Sequence, residues 1–97
     1  MAVGVRVKLL GFFRVSSGRS RVTVKLGDGA TVGDVVERLI ASSPPEFKEA
    51  LIDPVLREPS PKALILVNGK EVGVLDGVGT AVGDGDEVVL VPVTHGG

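Results

Sequence analysis

Residues 86–97, Asp86-Glu87-Val88-Val89-Leu90-Val91-Pro92-Val93-Thr94-His95-Gly96-Gly97 (DEVVLVPVTHGG), decide the fold. Every position from 88 to 93 is apolar, which predicts a strand covered on both faces and therefore central in its sheet. Gly83-Asp84-Gly85-Asp86 in front of it has the composition of a turn. Beyond the strand come Gly96 and Gly97, residues that are costly to order and bury nothing. Such an ending is either frayed or put to use.

Working back from that strand, the rest of the chain predicts its neighbours. Val3, Val5, Val7 and Leu9 alternate with Arg6 and Lys8, a period of two that marks a half-buried strand. Val22, Val24 and Leu26 repeat the pattern, and Ser16-Ser17-Gly18 between the two runs predicts an antiparallel hairpin. After Gly27-Asp28-Gly29 the period changes: Val32, Val35, Val36, Leu39 and Ile40 fall on one helical stripe, with Thr31 as its cap and Asp34 in its first turn. Ser42-Ser43-Pro44-Pro45 stops that helix, and 46–52 add a short helical piece before a proline-punctuated loop to Lys62. ALILV and KEVGVL flank Asn68-Gly69, which predicts a second hairpin. The last strand then pairs with the first in parallel. This order predicts an α+β fold of the β-grasp (ubiquitin-like) type, a mixed five-stranded sheet with one main helix packed across it. It occupies residues 1–93 as one domain, followed by a flexible Gly-Gly tail over 94–97.

Composition excludes most chemistry. The 97 residues are 43% hydrophobic and 24% charged, ordinary for a globular domain. No cysteine is present, which removes disulfides, thiolate metal sites and cysteine nucleophiles. A single histidine, His95, and a net charge of −1 leave no histidine cluster for zinc and no bulk positive charge for nucleic acid. No apolar run approaches the roughly 20 residues of a membrane-spanning helix, so a cytoplasmic protein without membrane contact is expected. Charge is uneven along the chain. Arg6, Lys8, Arg14, Arg19, Arg21 and Lys25 precede any acid, while no base follows Glu71, Asp76, Asp84, Asp86 and Glu87. The expectation is that these opposite signs compensate across the sheet, with a patch for an acidic partner as the alternative.

The remaining candidates are few. Gly27, Gly29 and Gly33 have the wrong spacing for a dinucleotide turn, and Asp84, Asp86 and Glu87 the wrong pattern for a calcium loop, so both sets are read as turns and no metal is expected. No serine can be linked to a base, since His95 lies in the tail. Leu10 and Phe12 share the parity of Arg6 and Lys8, which predicts an apolar patch on the sheet face opposite the helix. That patch is either a docking surface or is covered by residues 43–62.

Four stretches carry a resemblance: VRVKLLGFFRVSSG (5–18), TVGDVVERL (31–39), ALILVNGKEV (63–72) and GDEVVLVPVTHGG (85–97). In this order, and with Gly-Gly in the last two positions, they resemble the MoaD and ThiS group of ubiquitin-like sulfur carriers, closer to the MoaD branch. Many members have Pro-Pro where this chain has Val91-Pro92, and residues 43–62 are longer than a minimal carrier needs. The resemblance implies that the Gly97 carboxylate is adenylated, with ATP used by a partner activating enzyme of the MoeB or ubiquitin-activating type, and converted to a thiocarboxylate. No cofactor is bound by the carrier itself. It further implies a sulfur-donating small subunit of molybdopterin synthase, acting with the synthase large subunit in molybdenum cofactor biosynthesis and lacking an independent active site. Gly96 lets the tail thread a narrow channel, and Leu10, Phe12, Pro92 and His95 are candidate partner contacts. Two alternatives stay open: a protein modifier or tRNA-thiolation carrier, and a β-grasp adaptor that is never activated.

Overall fold

A computed structural model describes residues 2–53, 55, 59 and 63–93. Five strands form one mixed sheet, β1 (Val3–Leu9), β2 (Arg21–Leu26), β3 (Ala63–Val67), β4 (Lys70–Glu71) and β5 (Glu87–Pro92), in the spatial order β2-β1-β5-β3-β4. The closing strand is central, as its composition predicts. It runs parallel to β1, from Arg6 opposite Glu87 to Leu9 opposite Leu90, and antiparallel to β3, from Val67 opposite Val88 to Ala63 opposite Pro92.

One face of the sheet is packed. Val5, Val7, Leu9, Val24, Leu26, Ile65, Val67, Val88 and Leu90 point toward α2 (Val32–Ala41), whose Val32, Val35, Val36 and Leu39 complete the core. The predicted cap is present: Thr31 Oγ1 accepts from the Asp34 N–H at 3.3 Å, and Asp34 Oδ2 accepts from the Thr31 N–H at 2.9 Å. Such a reciprocal box satisfies two otherwise orphaned donors and contributes about 1 kcal/mol. The second hairpin turn also forms, with positive φ at Asn68 (50°) and Gly69 (85°). Asn68 then reaches across to β5, where its Oδ1 accepts from the Glu87 N–H and its Nδ2 donates to Asp86 Oδ1. Asp86 Oδ2 accepts from the Gly83 N–H, and Asp84 Oδ1 accepts from the Gly4 N–H. The acids before β5 are thus turn and register residues.

Three expectations are corrected and a fourth point, left open between two readings, is narrowed. Residues 11–17 form a helix, α1, where the sequence predicts strand running into turn. Its Phe13, Ser16 and Ser17, at i, i+3 and i+4, are buried, and Phe13 meets Phe47 of α3 (Pro45–Leu51) edge to face, with centroids 6.3 Å apart. Ser16-Ser17 therefore end a helix, and Gly18 follows in the left-handed region at φ 76°, its N–H bonded to the Arg14 carbonyl. β1 and β2 still pair antiparallel, Lys8 opposite Arg21 and Val3 opposite Leu26, but through this helix. Secondly, β4 is only two residues long, and Val72–Val74 and Gly77–Gly79 turn as short 3₁₀ segments where KEVGVL predicts a longer strand. Thirdly, β5 is covered on one face only, since Val88 and Leu90 are fully buried whereas Val89 and Val91 are half-buried. The fourth concerns residues 43–62: α3 packs against α1 and α2 on the core side, so this part of the segment does not cover the opposite face. No described helix is long and apolar enough to cross a membrane.

Candidate functional site

No described helix packs on the face of the sheet opposite α2, and the residues of that face follow from strand parity. β3 and β5 place Leu64 opposite Val91 and Leu66 opposite Val89, all half-buried, forming a small apolar patch. β1 and β2 place Arg6, Lys8, Arg21, Thr23 and Lys25 beside it, with Lys8 next to Val89 and Arg6 next to Glu87. The face is thus apolar on one half and basic on the other, and β5, from which the tail continues, runs along the border between them.

Local geometry fixes the end of β5. Odd-numbered residues of this strand bond toward β3 and even-numbered ones toward β1, as shown by the Glu87 carbonyl accepting from Asn68 and the Leu90 carbonyl accepting from the Leu10 N–H at 3.1 Å. Pro92 therefore lacks its N–H on the β1 side, where that strand has already ended at Leu9, so no ladder bond is lost. The proline ring instead abuts Gly11, which opens α1 at φ 53°. A Cβ on Gly11 would lie 2.7 Å from Pro92 Cγ. Gly11→Ala is expected to cost about 1–3 kcal/mol, because it combines a left-handed backbone with a clash against a stiff ring. Thermal unfolding measures the loss, and an unchanged midpoint would show that α1 and the end of β5 do not share this contact.

The residues anticipated as partner contacts are distributed as follows. Leu10 is half-buried at the N-cap of α1, and Pro92 is half-buried at the end of β5. Phe12 is 59% exposed on α1, a correction to its expected place on the sheet face, because the strand stops before it. All three nevertheless gather at the corner where β1, α1 and β5 meet. His95, Gly96 and Gly97 lie outside the described residues. Leu64 and Leu66 were not anticipated in the patch; their only signal in the sequence is that ALILV is apolar at both parities.

Comparison with known proteins places this geometry. Residues 7–97 match the ThiS family. The chain belongs to the ThiS family. It is 34% identical over 93 residues to small archaeal modifier protein 3 of Haloferax volcanii, covering 96% of this chain and 98% of that one. The crystal structure of small archaeal modifier protein 1 from the same organism superposes with a TM-score of 0.85 at 26% identity, covering 97% of this chain and 99% of that one. A putative molybdopterin converting factor subunit 1 from Pyrococcus furiosus gives 0.74 at 27% identity, covering 95% and 99%. The β-grasp reading is thereby established, and the ThiS-family chain stands among ubiquitin-like carriers and modifiers.

Proposed function

We propose that this ThiS-family protein is a carrier whose Gly97 carboxylate is activated by a partner enzyme and then used as an acyl donor. The observation that carries this reading is that the family match runs through the Gly-Gly ending itself. A carboxylate is a poor electrophile because its charge is delocalised. Attack of a Gly97 oxygen on the α-phosphorus of ATP gives an acyl-adenylate and releases pyrophosphate. Hydrosulfide adding to the carbonyl then expels AMP, loses its proton and leaves a thiocarboxylate. No side chain of the carrier is needed for either step, in keeping with the absence of cysteine and the lone histidine. Gly96 and Gly97 have no Cβ to shield the carbonyl or to obstruct a narrow channel. The open sheet face beside β5 is the surface on which the activating enzyme docks while the tail reaches its nucleotide.

Two destinations follow, each supported by a relative. Likeness to a molybdopterin converting factor subunit supports sulfur delivery to a pterin precursor by way of a synthase large subunit. Likeness to a small archaeal modifier protein supports attachment of Gly97 to lysine amines at least as well. Incubation with the adenylating enzyme, ATP and a sulfur donor is expected to replace one carboxyl oxygen by sulfur, read by intact-protein mass spectrometry. An unchanged mass favours an adaptor that is never activated. Lysine peptides from cells that carry the C-terminal segment of this chain in isopeptide linkage through Gly97 establish the modifier role, and their absence alongside thiocarboxylate formation leaves sulfur carriage.

A further inference from the structure

Among the described residues, the expected compensation of charge across the sheet is present at Arg6, which lies beside Glu87, but not at the outer end of the β1–β2 pair. Register sets Lys8 directly opposite Arg21, two cations as cross-strand neighbours, an arrangement that destabilises an isolated sheet. Neither side chain has a hydrogen-bonding or ion-pairing partner among the described residues. Arg6, two positions along the same face, donates from Nη2 to the Gly85 carbonyl at 3.2 Å, a neutral oxygen that leaves its charge uncompensated at that bond. Together with Thr23 and Glu87 these cations line a shallow depression of about 220 Å³.

We propose that Lys8 and Arg21, with Arg6, form a clamp for the carboxylates of an acidic protein surface, and that this surface belongs to the enzyme that activates the tail. The assignment rests on the activation reading above and adds the chemistry of the docking face. Charge complementarity selects an acidic partner, because anions placed between Lys8 and Arg21 convert a repulsive pair into two attractive ones. Protein is favoured over nucleic acid by what surrounds the clamp. Lys8 adjoins Val89, which continues into Leu66, so the partner must match an apolar strip as well as cations. The face also offers no ring for a base to stack on, since the chain has no Tyr or Trp, Phe13 and Phe47 are buried, and Phe12 belongs to α1.

The test is ATP–pyrophosphate exchange catalysed by the adenylating enzyme of the same organism, with the full-length chain as the varied substrate. K8E/R21E is expected to raise KM about tenfold or more with kcat unchanged, K8Q/R21Q to raise it less, and added salt to raise KM for the wild type more than for either variant. Thermal melting of K8Q/R21Q is expected at or above the wild-type midpoint, because it removes a like-charge pair, whereas K8E/R21E exchanges one like-charge pair for another and is expected to melt near the wild type. Exchange with the wild type and an unaltered KM in K8E/R21E overturns the clamp while leaving activation intact. No exchange with the wild type overturns the activation reading and the clamp with it. Binding of bulk tRNA by the wild type that K8E/R21E abolishes would also overturn the assignment, transferring these cations to phosphates.

Discussion

Deleting Gly97 is expected to reduce adenylation and thiocarboxylate formation by at least about a hundredfold while leaving the melting temperature unchanged. The deletion withdraws the reacting carboxylate by one residue, about 3.3–3.6 Å of extended chain. A misplacement of about 1 Å in a reacting group already costs on the order of a hundredfold, so a whole residue removes the carbonyl from reach of the nucleotide. The fold is expected not to depend on the deleted residue. Among the described residues the buried core draws nothing from beyond Leu90, and the β3–β5 ladder ends at the Ala63–Pro92 pair. Single-turnover adenylation and thermal melting, run on the same preparation, separate the two effects. Full activity in the shortened chain would refute Gly97 as the acyl donor. A lowered midpoint would instead show that the ending contributes to packing.

The contrast between the ending and the rest of the chain explains what was legible in the sequence. Strands β1 and β2 announce themselves because half-burial enforces strict alternation, and α2 because its buried stripe has the helical period. The Asn68-Gly69 turn is legible because the positive φ values it needs restrict its residue types. Helix α1 is not legible. Its seven residues are too short to be stable alone, and what holds them is the distant Phe47, a partner that no local window contains. The open face was half legible for a different reason. An apolar run such as 88–93 has the same composition whether both faces are covered or one presents a patch, and only the placement of α3 on the core side decides between them. The Lys8–Arg21 opposition depends on register, which α1 conceals by replacing the tight turn that would have specified it. Gly96 and Gly97, by contrast, lie outside the described residues, and their reading rests on the sequence alone.

Phe47→Ala is expected to be the most destabilising single core substitution, at about 3–5 kcal/mol. Phe47 is completely buried, the largest of the fully buried side chains, and its ring stands at 76° to that of Phe13. Removing it empties a space bounded by α1, α3 and the sheet, and also loses an aromatic pair worth about 0.5–1.5 kcal/mol beyond its buried area. For a domain near 100 residues each kcal/mol shifts the midpoint by roughly 4–8 °C, so a fall of about 12–40 °C is expected in thermal melting followed by circular dichroism. Phe12→Ala is the matched control. It removes the same kind of ring from an exposed position next to Phe13 and is expected to change stability by no more than about 0.5 kcal/mol. The consequence reaches the candidate site, because the ring that anchors α1 also holds Gly11 against Pro92, at the point where β5 ends. Phe47→Ala is therefore expected to loosen the base of the tail as well as the core, and at temperatures where it is still folded its KM for the adenylating enzyme rises above that of the wild type. A melt in two steps, with α1 and α3 released before the sheet, would show that the helical corner is a separate cooperative unit and that its coupling to β5 is weaker than the Gly11–Pro92 contact implies.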